Sequence, residues 1–354
     1  MAAFIDFSSL TTDQKRLIQE MVFEKVLKNP ALETVHDIYT GIKAGDRIGF
    51  IGKGGIAMKA AQACGTPSPQ TASSAGSSML WTPHKWEIRI RECGTDLEHP
   101  IMQWGLKYGN DMNDPEGTPY ADAVIQVISE MTLQNLWRSI WFCDTTAALV
   151  TASPAGVITA GTDITYFTWV DGLFKLLFTA ATGTPARHTT IAANAEATYA
   201  LQDSVFDGAS AYAALDATER GADSRLRTDP DRFMLCTTSV MDKYILYLES
   251  KGQEPAWGLL INGGRSLKFR GIDLIEIPSW DENIRTYQSN GTKYNYPHRI
   301  LFTTKDNLKI GTQDSQLFSE INYWNNAETE YNWMKVMGDL DVHIAQTYMF
   351  QFGY

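Results

Sequence analysis

A long apolar stretch from Thr118 to Phe142 constrains this chain more than any other part of the sequence. Thr118 is a good N-cap, and Pro119 suits the first helical position, where its missing N–H costs nothing. Apolar residues then recur at three- and four-residue spacing: Tyr120, Val124, Val127, Ile128, Met131, Leu133, Leu136, Trp137, Ile140 and Trp141. The spacing predicts one long helix that is apolar over much of its circumference and therefore mostly buried. Its side chains offer neither a catalytic nucleophile nor a metal cluster, so it predicts architecture rather than chemistry.

The length and the net charge of the chain narrow the range of functions it can have. A chain of 354 residues can form two domains or one elaborate domain. A formal net charge of -11 and a pI near 5.0 argue against a general nucleic-acid binder, which normally carries a basic balance or a basic face. We therefore expect any nucleic acid nearby to be enclosed by the protein rather than gripped by it.

The cysteines and the N-terminus exclude further classes. Cys64, Cys93, Cys143 and Cys236 form no C-x-x-C pair, which predicts reduced, partly buried thiols and no zinc ribbon or disulfide framework. Asp6 interrupts the apolar start of the chain, so a secretory signal is not expected. No run approaches the ~18 apolar residues that would span a bilayer. We predict a protein that is made and kept in a cytoplasm, or assembled there, without a membrane partner.

The first forty residues predict two short helices. Thr11 and Gln14 form a capping box before an apolar stripe of Leu17, Ile18, Met21, Val22 and Val26, which ends before Asn29-Pro30. A second helix is predicted to carry Leu32, Val35 and Ile38 and to stop at Gly41. The segment either forms an arm or completes the main domain, and the sequence leaves both open.

Two strands flank a long stretch of small residues. Arg47 to Ile51 predicts one strand. The second is predicted where Trp86, Ile88 and Ile90 alternate with Glu87, Arg89 and Arg91. Gly, Ala, Ser, Pro and Thr dominate between them, from Gly52 to Lys85, without strong periodicity. Such a connection is unusual in a compact domain. It is either an excursion that meets another molecule or a disordered surface loop.

The remainder mixes helices and strands. Thr151 to Thr162 is small and Gly-containing, and it predicts a boundary to a second lobe. Helices are then predicted over Tyr166 to Leu177, over Leu201 to Tyr212 with a charged end at Glu219 to Arg227, and over Val240 to Leu248 with closure at Gly252. Strands are predicted at Arg232 to Cys236, at Leu259 to Ile261 and Leu267 to Phe269 around Asn262-Gly263-Gly264, at Ile272 to Ile277, at Arg299 to Thr303, and along a last extended segment from Leu340 to Phe352. The order lacks a regular βαβ repeat, which favours the α+β class over a doubly wound sheet.

Motifs for chemistry are mostly absent. The segment Gly49 to Gly55 fails as a phosphate loop, because Arg47 stands where the first glycine is needed and Gly54 where Ser or Thr would hold magnesium. Asp111 to Gly117 begins like a calcium loop, but its glycine comes one position late. The six histidines include no H-E-x-x-H. We predict no catalytic, cofactor or metal site, although a triad whose members meet only in space stays open.

Two segments carry a family resemblance. They are Leu267-Lys-Phe-Arg-Gly271-Ile-Asp-Leu-Ile-Glu-Ile-Pro278 and Tyr296-Pro-His-Arg-Ile-Leu-Phe-Thr-Thr-Lys-Asp-Asn307-Leu-Lys-Ile-Gly311-Thr. A strand, a Gly before a strand ending in Pro, and an apolar strand leading into an Asn-Leu-x-x-Gly turn resemble the C-terminal half of tailed-bacteriophage major capsid proteins with the Hong Kong 97 fold. Gly338-Asp-Leu-Asp-Val-His-Ile, read as the opening of the last strand, resembles the end of the same family.

The order of elements extends the resemblance and implies a division of the chain. An N-terminal arm would span residues 1–40 and an extended loop residues 41–93. A peripheral domain would take residues 94–150 and 312–338, with residues 118–142 as its spine helix. An axial domain would take residues 151–311 and 339–354.

The resemblance implies a structural virion protein that is not an enzyme. Copies would self-assemble into hexamers and pentamers of an icosahedral-type shell that encloses double-stranded DNA. Separate scaffolding, portal and decoration proteins would be its possible partners, and assembly would take place in the cytoplasm of a bacterial host. The candidate contacts between subunits are Lys53, Lys59, Trp86, Arg89, Arg91, Leu17 and Met21. In some family members Lys and Asn form isopeptide bonds between subunits, for which Lys53 or Lys59 with Asn325 or Asn326 would be the candidates.

Two other functions stay open at this point. An encapsulin-like bacterial compartment would share the fold but enclose enzymes, and DNA in native particles would distinguish the two. A soluble enzyme with a scattered active site would form a small oligomer with a ligand pocket and no particles.

Overall fold

The computed structural model describes residues 29–54, 74–93, 119–150, 156–252, 258–259, 265–318, 322–326, 328 and 331–354. The α-helices are α1 (Leu32–Val35), α2 (Pro119–Phe142), α3 (Leu173–Gly183), α4 (Tyr199–Val205), α5 (Gly208–Gly221), α6 (Ser224–Arg227), α7 (Thr238–Ser250) and α8 (Pro278–Tyr287). The strands are β1 (Asp37–Tyr39), β2 (Arg47–Gly54), β3 (Ser74–Leu80), β4 (His84–Cys93), β5 (His188–Thr189), β6 (Arg232–Cys236), β7 (Gly258–Leu259), β8 (Arg265–Phe269), β9 (Ile272–Glu276), β10 (Ile300–Thr304), β11 (Leu308–Gly311), β12 (Asn322–Asn326), β13 (Tyr331–Ile344) and β14 (Phe350–Gly353). Short 3₁₀ turns lie at Ile164–Tyr166, Pro185–Arg187, Ala192–Ala195, Lys305–Asn307 and Thr347–Met349. No helix within these ranges is long and apolar enough to cross a membrane.

The strands form two mixed sheets and one separate hairpin. A seven-stranded sheet has the order β5-β14-β10-β6-β9-β8-β7. In the five-stranded sheet, β13 pairs with β11, β12 and β4, and β1 pairs with β11. Strands β2 and β3 pair only with each other among the described strands. Parallel pairs (β1 with β11, β6 with β9, β5 with β14) occur beside antiparallel ones, so the mixed sheets agree with the predicted α+β class.

The predicted long helix is present as α2, and it lies at the centre of the main core. Ile140 and Trp141 are fully buried, and the Trp141 ring lies 4.6 Å from Trp280 of α8 and 5.1 Å from Phe174 of α3. The same core takes residues from both sheets, including Leu235, Phe352 and Leu340. The opposite face of the seven-stranded sheet packs on α5 and α7 in a second core. Strand β6 therefore buries successive residues on both faces, which explains its unbroken apolar sequence.

The second predicted helix ends earlier than expected. Helix α1 stops at Val35, and Ile38 lies on β1, so the prediction of helix through Ile38 was wrong. His36 already has extended backbone, and β1 pairs in parallel with β11. The free edge of β11 thus overrides a local helical pattern that was only a few residues long.

Two further helix predictions were wrong in extent. Helix α3 begins only at Leu173, because its N-cap Gly172 has extended backbone and its N–H donates to the Cys143 carbonyl after α2 instead of continuing a helix. The predicted helix from Leu201 to Tyr212 is two helices, α4 and α5. The Asp207 side chain accepts from Ser210 N and caps a new helix at that point.

The last predicted strand is two strands in different sheets. Strand β13 ends at Ile344 in the five-stranded sheet, and β14 begins at Phe350 in the seven-stranded sheet. Leu340, Val342, Phe350 and Phe352 all enter the same core, so the alternation continues across a break that the pattern does not reveal. Of the predicted Asn-Leu-x-x-Gly turn, Asn307 does lie in a turn, the 3₁₀ turn Lys305–Asn307 after β10, but Leu308–Gly311 is strand β11.

The hairpin predicted around Asn262-Gly263 pairs as β7 with β8, and its turn lies outside the described residues. A second hairpin joins β8 to β9 through Arg270 and Gly271, whose φ angles are 51° and 82°. Two successive positive φ angles are typical of the two-residue turn that matches the twist of a hairpin. Gly271, singled out in the sequence, thus has a structural role.

Candidate functional site

The first candidate surface is the hairpin of β2 and β3, which pair with each other and with no other described strand. Its register runs from Arg47 opposite Leu80 to Ile51 opposite Gly76, with an irregularity between Ile51 and Gly54. The Ser/Gly-rich strand β3 was missed in the sequence, where the region was interpreted as a long connection. Ile51 is 89% exposed and Leu80 39% exposed. A two-stranded hairpin with exposed apolar residues is marginal alone in water, so this one is suited to contact another molecule.

The second candidate surface is one side of the five-stranded sheet. Strand β4 pairs with β13 from Cys93 opposite Tyr331 to His84 opposite Leu340. The predicted alternation is present, because Trp86, Ile88 and Ile90 are half-buried while Glu87, Arg89 and Arg91 are exposed. Directly opposed residues share a side of an antiparallel pair. We call this side the outer face, formed by Glu87, Arg89, Arg91, Trp324, Tyr331, Trp333, Lys335 and Met337.

The outer face combines aromatic rings with cations. The Arg91 guanidinium lies 5.1 Å from the centre of the Tyr331 ring and 5.9 Å from that of Trp333. Trp324 of β12 stacks on Trp333 with centroids 6.2 Å apart and planes 8° from parallel. Such pairs hold large, rigid contact surfaces in place at the cost of few rotatable bonds.

Charge on the outer face is opposite to that of the whole chain. Glu87 lies 3.2 Å from Lys335 and 3.0 Å from Arg89. The hydrogen bond from Lys335, aided by Arg89, lowers the pKa of the Glu87 carboxyl. Three cations thus stand against one carboxylate on a chain whose net charge is -11. The outer face is a basic, aromatic surface that suits contact with an acidic one.

On the other side of β4 a cleft of about 910 Å³ separates the strand from α2. Arg138 of α2 reaches across it, with its guanidinium 5.4 Å from the centre of the Phe167 ring. The indole nitrogen of Trp86 is buried there and has no hydrogen-bond partner among the described residues. Neither histidine nor cysteine is among the described residues that line the cleft. The lining mixes apolar side chains such as Ile88 and Leu136 with polar ones such as Asp163 and Ser139.

The structure also bears on the catalytic triad that the sequence left open. Ser239 Oγ lies 2.8 Å from His298 Nδ1, as a nucleophile and base would. However, His298 Nε2 lies 3.0 Å from the Gln202 carbonyl oxygen, so a backbone group takes the place of an orienting carboxylate. The ring is buried and stacks on Phe206 at 3.9 Å, and burial lowers its pKa to about 4. This pair is part of a core hydrogen-bond network.

Of the described thiols, Cys143 and Cys236 are both buried. Burial raises the pKa of the Cys143 thiol to about 12, which leaves it protonated and unreactive at neutral pH. Cys64 lies outside the described residues.

The predicted contact residues are placed differently from one another. Arg89 and Arg91 lie together on the outer face, whereas Trp86 lies on the opposite side of β4 and packs against the main core. Trp86 therefore offers less of its surface to a neighbour than the two arginines do. Lys53 lies on β2, and Leu17, Met21 and Lys59 lie outside the described residues.

Sequence reasoning missed the aromatic half of the outer face. Tyr331, Trp333, Lys335 and Met337 follow a period of two along β13, which was a usable signal for an exposed strand face. Trp324 gave no such signal, because β12 is a short strand rich in Asn.

Comparison with known proteins bears on the whole chain. No family model matches the sequence, and no curated protein matches it. A chain in the capsid structure of the cyanophage P-SCSP1u is 13% identical in sequence to this chain. The match covers 96% of this chain and 92% of the cyanophage chain, with a TM-score of 0.53. The capsid of Myoviridae phage XM1 is 9% identical, over 97% of both chains, with a TM-score of 0.54. The capsid of an empty GTA particle is 8% identical, over 94% of this chain and 98% of that one, with a TM-score of 0.52.

The chain has the capsid fold. The predicted resemblance to capsid proteins and the α+β class are both confirmed at the level of fold. At such low identity the likeness carries no individual residue across. The roles of the hairpin and of the outer face must therefore be argued from their own geometry.

Proposed function

We propose that this chain is a major capsid protein, a structural virion subunit rather than an enzyme. Copies would self-assemble into the hexamers and pentamers of a closed shell around double-stranded DNA. The observation that carries the proposal is a capsid fold spanning more than nine-tenths of this chain and of each of the three capsid chains compared above. The hairpin supports it, because its exposed apolar residues Ile51 and Leu80 would gain stability by contact with a neighbouring subunit.

Assembly in this proposal depends on many modest contacts. Covering a side chain as exposed as Ile51 is worth roughly 1.5 to 3 kcal/mol. The β2–β3 hairpin would lie over a neighbouring subunit and bury Ile51 and Leu80. Closed symmetry repeats each contact around the shell, so that many individually weak contacts together hold the lattice in place.

The division of the chain belongs to the same proposal. Residues 1–40 would form the arm, residues 41–93 the extended loop, and α2 the spine helix of a peripheral domain. Residues 151–311 and 339–354 would form the axial domain. Strand β4 pairs along its length with β13, so the extended loop would return directly into the sheet of the peripheral domain.

The outer face would supply a second contact, in which Arg89 and Arg91 meet acidic surface on a neighbouring copy. Lys53, Lys59, Trp86, Leu17 and Met21 remain further contact candidates. Scaffolding, portal and decoration proteins would be the other partners, and assembly in a bacterial cytoplasm would precede location in the virion. An acidic shell would hold the enclosed DNA loosely, because like charges repel.

Negative-stain electron microscopy of the overexpressed chain, with sedimentation, tests this function. We expect closed shells, tubes or six-fold rings, and we expect duplex DNA in particles from the native source. A shortened variant replaces residues 48–79 by Asn-Gly, which joins the paired positions Arg47 and Leu80 by a two-residue turn, removes Ile51 and keeps the base of the hairpin. It should fold and remain unassembled.

Two results would contradict the proposal. The first is a uniform small oligomer of the wild type that persists with crowding agent and with a scaffold candidate. The second is normal shells from the shortened variant, which would remove the hairpin from the mechanism of assembly.

A further inference from the structure

The base of the β2–β3 hairpin is buried, in contrast to the exposed hairpin itself. Trp81 follows β3 and is 1% exposed, and Ile42 precedes β2 and is 8% exposed. Gly45 N donates to the Trp81 carbonyl at 3.0 Å, and Trp81 N donates to the Asp46 carbonyl at 2.9 Å. The two connections that link the hairpin to the body are thus tied together beside one buried indole.

The indole of Trp81 lies in a socket made by three strands of the five-stranded sheet. Its ring centre lies 5.9 Å from Tyr39 of β1 and 5.1 Å from His343 of β13. Gly311 of β11 forms the floor, where a Cβ would lie 2.5 Å from the Trp81 ring and 2.6 Å from Ile42 Cδ1. Glycine is required at this position by close approach, since Gly311 is not among the residues with positive φ.

Polar contacts close the socket around the ring. Thr82 N donates to Asp341 Oδ2 at 2.6 Å, and His343 Nε2 lies 3.1 Å from the same oxygen. Lys309 Nζ lies 2.7 Å from Asp37 Oδ2 and donates to the Tyr39 hydroxyl at 2.9 Å. These contacts hold Asp341, His343, Lys309 and Tyr39 in place around the ring, which favours a single orientation of the indole.

We propose that Trp81 is a positioning residue that aims the hairpin at the neighbouring subunit, and that Gly311 is the seat of its indole. Beyond the base, β2 and β3 pair with no other described strand, so the attachment at the base, of which Trp81 is the buried centre, bears on their direction. A hairpin already held in its bound direction loses less conformational freedom on contact, and this favours assembly. The proposal rests on the capsid function proposed above.

Two substitutions that change side-chain size in opposite directions test the packing of Trp81 on Gly311. Gly311→Ala adds a methyl group under the indole and should displace it, whereas Trp81→Leu removes the ring and leaves a void above Gly311. Each single variant should form about ten-fold fewer shells than the wild type at equal concentration of folded subunit. The double variant should recover assembly, because the added methyl group fills part of the void.

Gly208→Ala is the matched control. Its added Cβ would lie 3.0 Å from the Lys243 carbonyl oxygen and 3.1 Å from Tyr247 Cβ, so it crowds the α5–α7 layer rather than the base of the hairpin. We expect it to lower the melting temperature of the unassembled subunit, though less than Gly311→Ala does, without loss of shells per folded subunit.

Equal assembly by folded Gly311→Ala and Gly208→Ala would overturn the proposal and make Trp81 an ordinary core residue. Should Gly311→Ala not fold, Trp81→Leu decides alone, and normal shells from it would also overturn the proposal. A wild type that never assembles refutes the capsid function itself, so the two failures are distinguishable.

Discussion

At the scale of single residues, His36 shows how a buried polar group is tied to the fold. Its ring lies 5.5 Å from both Trp137 and Trp141 of α2, and it is completely buried. Nδ1 lies 3.0 Å from the Leu32 carbonyl, so it must carry the proton and donate. Nε2 then has a free lone pair and no partner among the described residues. A second proton there would be a buried charge, with Lys305 adding repulsion, and burial lowers the pKa of His36 to about 4.

The first prediction concerns acid stability. The unfolded chain takes up this proton near the ordinary value of 6.5, but the folded chain only near 4, so the stability from neutral His36 falls as pH drops between these values. The loss from pH 7 to pH 5 is on the order of 2 kcal/mol. His36→Phe keeps the aromatic contacts and loses one hydrogen bond, about 1 kcal/mol. We expect the variant to be less stable than wild type at pH 7 and more stable at pH 5 in urea unfolding of unassembled subunits. A constant difference between the two proteins would contradict this.

At the scale of elements, α2 has two unlike sides. Ile128 is 1% exposed, whereas Leu133, little more than one turn later, is 44% exposed. The sequence makes both residues equally apolar, so the helix pattern alone does not show which one the subunit buries. The prediction of a mostly buried helix thus holds for the side that carries Ile128, Leu136 and Ile140.

Charge substitutions on the two sides of α2 give the second prediction. Ile128→Asp would place an unpaired carboxylate in the interior and should cost more than ~4 kcal/mol, which removes cooperative unfolding. Leu133→Asp, the control on the same helix, should change the stability of the unassembled subunit by less than ~1 kcal/mol. Thermal melts followed by circular dichroism provide the measurement. A melt of Ile128→Asp close to that of the wild type would show that the helix is not the centre of the core.

Elements with a strong local signal could be predicted from the sequence, and those made by distant pairing could not. Strand β4 alternates apolar and charged residues from Trp86 to Arg91, and α7 is followed by Gly252 with a φ of 68°. The predicted ends of both elements therefore lie within two residues of the observed ends. Strand β3 is rich in Ser and Gly and exists through its pairing with β2. Strand β1 exists through the free edge of β11.

The same limit applies to the candidate surfaces. Alternation was sufficient to place Arg89 and Arg91 on an exposed strand face. The seat of Trp81 depends on Gly311, which is far away in the chain, and no local pattern joins the two.

At the scale of the whole molecule, overall charge and local charge oppose each other. Copies with a net charge of -11 repel one another, and this repulsion must be offset wherever they meet. The outer face carries Arg89, Arg91 and Lys335 against Glu87 alone, so it can attract the acidic remainder of another copy. Such complementarity would favour one docking arrangement over others.

The last prediction separates these two effects with variants of equal charge. Arg91→Glu and Arg220→Glu each make the chain two units more negative. Arg91 lies on the outer face over Tyr331, whereas Arg220 lies on α5 beside Asp216 and is exposed. Each change should cost the isolated subunit only about 1 kcal/mol. We expect Arg91→Glu to reduce the yield of shells by about ten-fold or more in sedimentation, and Arg220→Glu to reduce it far less, because only the first removes a complementary contact. An equal loss in both would mean that total charge governs assembly and that the outer face has no special part in it.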